Sequence, residues 1–252
     1  MIPALYDWFA ARSILEWAAF SLIGNIAIFM GSVWLCDWMG KRYASRPLFA
    51  ARHPISKQDA RLAGMAVFLN SAVAVLGWWL WQERWITITH PDWWRTIVDV
   101  FVFLLLMDFG MYLSHRIAHD PWLYKKIHAT HHTHQATNPI SLFVLSPFEV
   151  LGFGTLMLSV LIAIPLSGTA VLVYLILNVL FGTLGHAGVE PFPKSWAKWI
   201  LVRQIGTSTF HAEHHLQPRT NYGFYTVIWD RLFGTLHPQY DAAISGQDQD
   251  KE

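Results

Sequence analysis

The sequence predicts an all-α fold: a polytopic bundle of four to five membrane-spanning helices, with short helices on the cytoplasmic side carrying clustered histidines. Three observations predict it. Hydrophobic residues make up 54% of the 252 residues and charged residues only 14%, against about 25% charged in an average soluble domain. Five apolar runs approach or exceed the roughly 18 residues that a bilayer crossing needs. Nine of the 13 histidines fall into four groups that map to one side of the membrane.

The first run is 14–36, ILEWAAFSLIGNIAIFMGSVWLC. It is long enough to span and has no A-x-A-like end, so it reads as a span and not as a cleavable signal. The second is 62–82, LAGMAVFLNSAVAVLGWWLWQ, and the third is 96–114, TIVDVFVFLLLMDFGMYLS. The fourth and fifth, 147–164 and 169–187, are split by Pro165-Leu166-Ser167-Gly168. Pro and Gly there read as a tight turn. That pair is short: it reads either as two crossings or as a re-entrant hairpin, and the topology parity is the same for both.

Basic residues sort the loops. Lys41, Arg42, Arg46, Arg52, Lys57 and Arg61 separate the first two spans, whereas only Arg84 and Arg95 separate the next two. Arg116, Lys125 and Lys126 follow the third span, and the polar tail is basic again. The positive-inside rule then places the N-terminus outside and the tail inside. Trp78, Trp79, Trp81, Trp85, Trp93 and Trp94 gather at the outer boundary, as an aromatic belt would. The last stretch, 241–252, is polar and predicted to be a flexible tail.

Composition also excludes. The net charge is +1 and no Lys/Arg block resembles a nucleic-acid patch. Cys36 is the only cysteine, so an internal disulfide, a Cys-ligated iron–sulfur cluster and a Cys-rich zinc site are ruled out. No Gly-rich dinucleotide motif and no cytochrome b5-like heme segment are present.

The histidines carry the chemistry. His115 and His119 follow the third span as HRIAH; His128, His131 and His132 form HATHH; His186 ends the fifth span; His211, His214 and His215 form HAEHH. Residues at i, i+3 and i+4 share a helix face. HRIAH therefore extends the third span by a turn with both imidazoles on one side. Asp120-Pro121 reads as an N-cap followed by Pro at the first helical position. The helix it starts, WLYKKIHATHH, puts His128, His131 and His132 on one face. Thr207 to Thr209 start a second short helix, FHAEHHL, that ends before Pro218. One metal ion takes about three or four protein ligands, so nine histidines suit two ions with open positions. Imidazole accepts zinc, copper, iron or nickel, and ligand type does not name the metal.

Other readings predict other patterns. A metal transporter, the main alternative, would place ligating residues in the middle of several spans, and only Asp99 and Asp108 lie there. A di-heme cytochrome gives adjacent histidines such as His131-His132 no purpose. A zinc hydrolase, the other alternative, would carry HExxH or an H-x-E with P-C-x-x-C, neither of which is present.

At these residues the sequence resembles the fatty acid hydroxylase/sterol desaturase superfamily of integral-membrane di-iron enzymes. The resemblance runs from DFGMYLSHRIAHDPWLYKKIHATHH (108–132) through GHAGVEPFP (185–193) to STFHAEHHLQPRTNYGFYTVIWDRLFGT (208–235), about half the chain. NYG…WDRLFGT adds specificity beyond histidine spacing. The resemblance implies a catalytic domain over 96–240 behind a two-span anchor, 1–95. It implies that His115, His119, His128, His131, His132, His186, His211, His214 and His215 bind two irons, with Glu190 or His134 as candidates for a tenth ligand. Zinc can replace iron in purified protein. Asp108 sits seven residues before His115 and is expected to hydrogen-bond a ligand imidazole. Asp99 is expected to be structural, Glu213 solvated, and His53, His90 and His237 ordinary. Arg116 and Arg231 are expected to pair or to reach phospholipid head groups.

The implied activity is O2-dependent hydroxylation or desaturation of a lipid such as a sterol or fatty acyl chain, with no catalytic residue beyond the metal ligands. Electrons would come from a separate reductase and carrier. The compact length inclines the reading toward a bacterial inner membrane.

Overall fold

The computed structural model describes residues 8–90 and 92–246. Its long helices are α1 (Ile14–Arg42), α2 (Lys57–Gln82) and α3 (Trp93–Ala118). The short α4 (Pro121–Ile127) follows, then α5 (Pro147–Ala163) and α6 (Gly168–Gly185). Three short helices complete the chain: α7 (Ser208–Leu216), α8 (Ile228–Phe233) and α9 (Tyr240–Ser245). Among the described residues, α1, α2, α3 and α6 are long and apolar enough to cross a membrane, and α5, at 17 residues, is shorter.

Six of these nine helices start where a side chain supplies an oxygen for the free N–H groups. Ser13 with Glu16 and Ser56 with Asp59 form reciprocal capping boxes at α1 and α2. Asp120 caps α4 ahead of Pro121, Ser146 caps α5 ahead of Pro147, Ser167 caps α6 and Thr207 caps α7.

Helix α1 packs on α2 and α6, α2 on α5, and α3 on both α5 and α6. Small residues let the helices approach, as the lack of an apolar drive between helices in lipid requires. A Cβ on Gly154 of α5 would stand 2.7 Å from a Val73 methyl of α2. The outer faces are strongly apolar, with Leu15, Ile23, Trp34, Phe68, Phe101 and Leu172 exposed. The inner faces meet around Phe103, Met107, Leu158, Leu161, Tyr174 and Tyr225.

A short strand pair fixes the turn between α5 and α6. Strands β1 (Ile88–Thr89) and β2 (Leu166–Ser167) pair in parallel, Ile88 with Leu166 and Thr89 with Ser167. That turn therefore lies beside the α2–α3 connection at one end of the bundle, and α5 and α6 together run its length. Asp99 is structural there: it accepts from the Ser167 N–H at 2.8 Å and pairs with Arg95 at 2.9 Å. The histidines occupy the opposite end, where the Cys36 thiol of α1 meets the His186 carbonyl.

Two expectations are corrected here. Residues 241–245, placed in a flexible tail, belong to α9, which Arg231 anchors by a bidentate pair with Asp241; residues 247–252 lie outside the described residues. The helix expected to run through HATHH stops at Ile127. His128 is its C-cap, and His131–Thr133 form a separate 3-10 turn.

Candidate metal centre

That break decides the geometry. Ligand atoms of His115, His119, His128, His132 and His214 form one cluster, and those of His131, His186, His211 and His215 a second. Within each, the atoms lie within 4.8 Å of one another. On one continuous helix His128, His131 and His132 would share a face. The turn after Ile127 sends His128 and His132 to the first cluster and His131 to the second. Helix α7 does the converse, giving His214 to the first and the i, i+4 pair His211 and His215 to the second. Each HxxHH triplet thus feeds both clusters, two to one and one to two.

Every inter-histidine contact runs between Nε2 atoms. In the first cluster His115 meets His128 at 2.9 Å, His119 meets His214 at 3.1 Å and His132 meets His214 at 3.0 Å. In the second, His131–His186 and His186–His211 are 3.3 Å apart and His211–His215 3.1 Å. Four nitrogens bound at about 2.0–2.1 Å around one tetrahedral ion would stand roughly 3.3 Å apart.

The far side of several rings fixes where the protons are. Nδ1–H of His115 donates to the Tyr222 carbonyl at 2.8 Å, that of His214 to the Thr220 carbonyl at 2.7 Å, and that of His186 to the Gly182 carbonyl at 2.8 Å. A carbonyl only accepts, so Nδ1 carries the proton and Nε2 points a lone pair inward. His128 Nδ1 lies 2.6 Å from the buried carboxylate of Glu149. Nδ1 of His131, His132 and His215 is buried with no hydrogen-bond partner among the described residues.

Burial, followed by the charges of neighbouring imidazoles, holds His128, His131, His211, His214 and His215 well below the ordinary histidine range and pushes His132 down to about 3. Neutral imidazoles with convergent lone pairs are the donor set a divalent ion of the zinc or iron type takes. These nine residues fit two such ions.

The other singled-out residues lie elsewhere. Neither tenth-ligand candidate joins a cluster. Glu190 accepts from the backbone and hydroxyl of Thr209 at 2.9 and 2.7 Å and from the Phe192 N–H at 3.1 Å, which ties the start of α7 to the loop after α6. His134 stands beside His53 and Asp59.

Asp108 touches no imidazole. It accepts from the Tyr225 and Thr226 N–H groups, the Thr226 hydroxyl and the Trp229 indole. The expected hydrogen bond to a ligand imidazole is replaced by contacts that hold the 222–229 segment against α3. Asp230 does the same from within that segment, accepting from the Tyr222 and Gly223 N–H groups at 2.8 and 2.7 Å. Asn221, at φ 59°, a left-handed conformation that Asn tolerates, donates to the Phe210 carbonyl at 2.9 Å and accepts from the His237 N–H at 2.7 Å. The NYG…WDRLFGT marker thereby presents the Tyr222 carbonyl to His115. Glu213 is not simply solvated: it accepts from Asn221 at 3.1 Å and lies 3.7 Å from His237. Arg116 donates to the Tyr112 hydroxyl at 3.1 Å.

Glu149 was missed. In SPFE its spacing after Ser146 signals only a helix N-terminus, and the sequence gives no sign of the imidazole it meets. A narrow cleft, lined in part by Phe181, Gly185, Phe210 and Phe224, lies beside His186 and His211.

Comparison with known proteins places this arrangement. The fatty acid hydroxylase family model matches residues 100–235. A very-long-chain aldehyde decarbonylase of rice (Oryza sativa subsp. indica) is 32% identical over 62% of this chain and 27% of its own length. A cholesterol 25-hydroxylase-like protein of Danio rerio is 27% identical over 63% of each chain. A putative Delta(7)-sterol-C5(6)-desaturase of Arabidopsis thaliana is 27% identical over 87% of this chain and 80% of its own. The chain spans about a quarter of the length of the rice decarbonylase. No solved structure matches.

Proposed function

The chain belongs to the fatty acid hydroxylase family, and from that premise we propose that it is a di-iron membrane oxidoreductase that hydroxylates or desaturates a C–H position of a lipid. The observation that carries this reading is the division of nine buried or half-buried histidines into clusters of five and four, with their Nε2 atoms facing one another. Hydroxylase, desaturase and decarbonylase relatives support a sterol or long acyl chain as substrate class.

His115, His119, His128, His132 and His214 would hold one iron, and His131, His186, His211 and His215 the other. The irons, when bound, supply the redox chemistry that activates O2. The protein's own residues do the rest. The Tyr222, Thr220 and Gly182 carbonyls fix the tautomer and plane of three rings. Glu149 draws on the His128 N–H and makes that imidazole a stronger donor. Phe181, Phe210 and Phe224 give His186 and His211 of the second cluster an apolar flank. The loop charges support a cytoplasmic-facing centre, supplied with electrons by a separate reductase and carrier.

The test is oxygen consumption by iron-loaded, detergent-purified protein given a chemical reductant and a panel of sterols and acyl lipids. Lipid-dependent uptake with an oxidised product is expected. Fully iron-loaded protein that oxidises none of them would overturn the reading.

A further inference from the structure

A third group of ligating side chains lies outside both clusters, where the N-terminus of α2 meets the segment after His132. His53, Asp59 and His134 each offer one atom, and the three atoms lie within 4.8 Å of one another. Asp59 and His134 are buried and His53 is exposed. The two rings meet edge to face with centroids 4.4 Å apart.

The placement of protons decides what this group can hold. The Thr133 hydroxyl donates to the Thr130 carbonyl at 2.7 Å, so toward His134 Nδ1, 3.4 Å away, its oxygen can only accept. A hydrogen on Nδ1 has that oxygen to meet, and Nε2 is then free to ligate. That Nε2 is buried, makes no hydrogen bond, and lies 3.3 Å from Asp59 Oδ2. Oδ2 itself accepts from the Ser56 N–H at 2.7 Å. His53 Nδ1–H donates to the Pro54 carbonyl at 2.9 Å, which leaves its Nε2 a lone pair as well. Two imidazoles and a carboxylate thus converge, and the buried His134 Nε2 is left without a hydrogen bond of satisfactory geometry.

We propose that His53 Nε2, Asp59 and His134 Nε2 bind a third divalent cation, zinc foremost, distinct from the two histidine clusters. Two imidazoles and a carboxylate are a donor set that zinc accepts, with its fourth position left to water. The exposed His53 provides the entry path. The segments are already joined without the ion, by His53 N–H to the Ala136 carbonyl at 3.2 Å and Asn138 Nδ2 to the His53 carbonyl at 3.1 Å. The ion adds a clamp two residues beyond His132. It would hold the turn that carries His131 and His132 against the start of α2. The inference is independent of the redox reading of those clusters.

The test is zinc stoichiometry of the full-length protein in detergent, stripped with chelator and dialysed against zinc. His53→Ala removes an exposed ligand and leaves the nine cluster histidines in place. One equivalent fewer than wild type is expected in His53→Ala and again in Asp59→Asn. A combined His115→Ala, His214→Ala, His211→Ala, His215→Ala chain, where it folds, should keep one equivalent. Wild-type stoichiometry in both His53→Ala and Asp59→Asn would overturn the proposal and leave His134 and Asp59 as an imidazolium–carboxylate pair.

Discussion

Glu149 Oε1 lies 2.6 Å from His128 Nδ1, and both side chains are buried. The contact crosses from the first turn of α5 to the C-cap of α4, and it is the one carboxylate contact made by any imidazole of either cluster among the described residues. A buried carboxylate on the far nitrogen of a ligating imidazole raises its basicity and locks its orientation.

Glu149→Gln keeps the shape and removes the charge. Metal affinity of the first cluster should fall about ten- to a hundredfold, read by competition with a chelator of known strength. Affinity unchanged within twofold would show that the contact does not tune the first cluster.

The reciprocal division of the triplets makes a prediction from adjacent residues. His214 and His215 are neighbours in sequence but serve different clusters, whereas His119 and His214 serve the same one. The double variant His214→Ala, His215→Ala should lose both ions, and His119→Ala, His214→Ala only one. Equal losses, counted as metal per chain, would refute the partition.

Gly185 ends α6 directly against His211. An added Cβ would stand 3.2 Å from Cδ2 of that ring and 3.3 Å from its Cβ and Cγ. Gly185→Ala should displace His211 by a few tenths of an ångström and weaken the second cluster about tenfold, a loss of about 1.4 kcal/mol. The first cluster should keep its ion. If both clusters bind metal as in wild type, the contact is softer than the geometry states.

Asp108 accepts hydrogen bonds from Tyr225, Thr226 and Trp229. Asp108→Asn turns acceptor capacity into a donor that faces donors. Stability should fall by about 2–4 kcal/mol, since hydrogen bonds to a charged group are worth about 1.5–3 kcal/mol each. The measurements are thermal unfolding in detergent and metal per folded chain. A wild-type melting temperature with loss of metal would instead return Asp108 to the role the sequence suggested.

The reading of Asp108 shows where sequence reasoning stops. Its burial in a span and its importance were legible, because an acidic residue in an apolar run is costly. Its partners were not, because they are backbone and side-chain donors 117 to 121 residues away. The same holds for the Tyr222, Thr220 and Gly182 carbonyls that orient three imidazoles: every residue has a carbonyl, and only folding selects which ones face a ring. Glu149 was hidden in the same way, since SPFE reads as an ordinary helix start and its imidazole partner lies 21 residues away.

The sequence by itself determined the helices, because apolar length, capping serines and threonines, and Pro at helix starts act locally. It also determined that the histidines gather at one end, because helix direction alternates and each motif sits at a helix terminus. Tertiary structure alone decided which histidine joins which cluster. The break of α4 at Ile127 rotates His131 away from His128 and His132, and nothing in the HATHH spacing distinguishes that turn from a continued helix. It also placed His134 with His53 and Asp59, because long-range packing, not periodicity, brings the segment after His132 onto the start of α2.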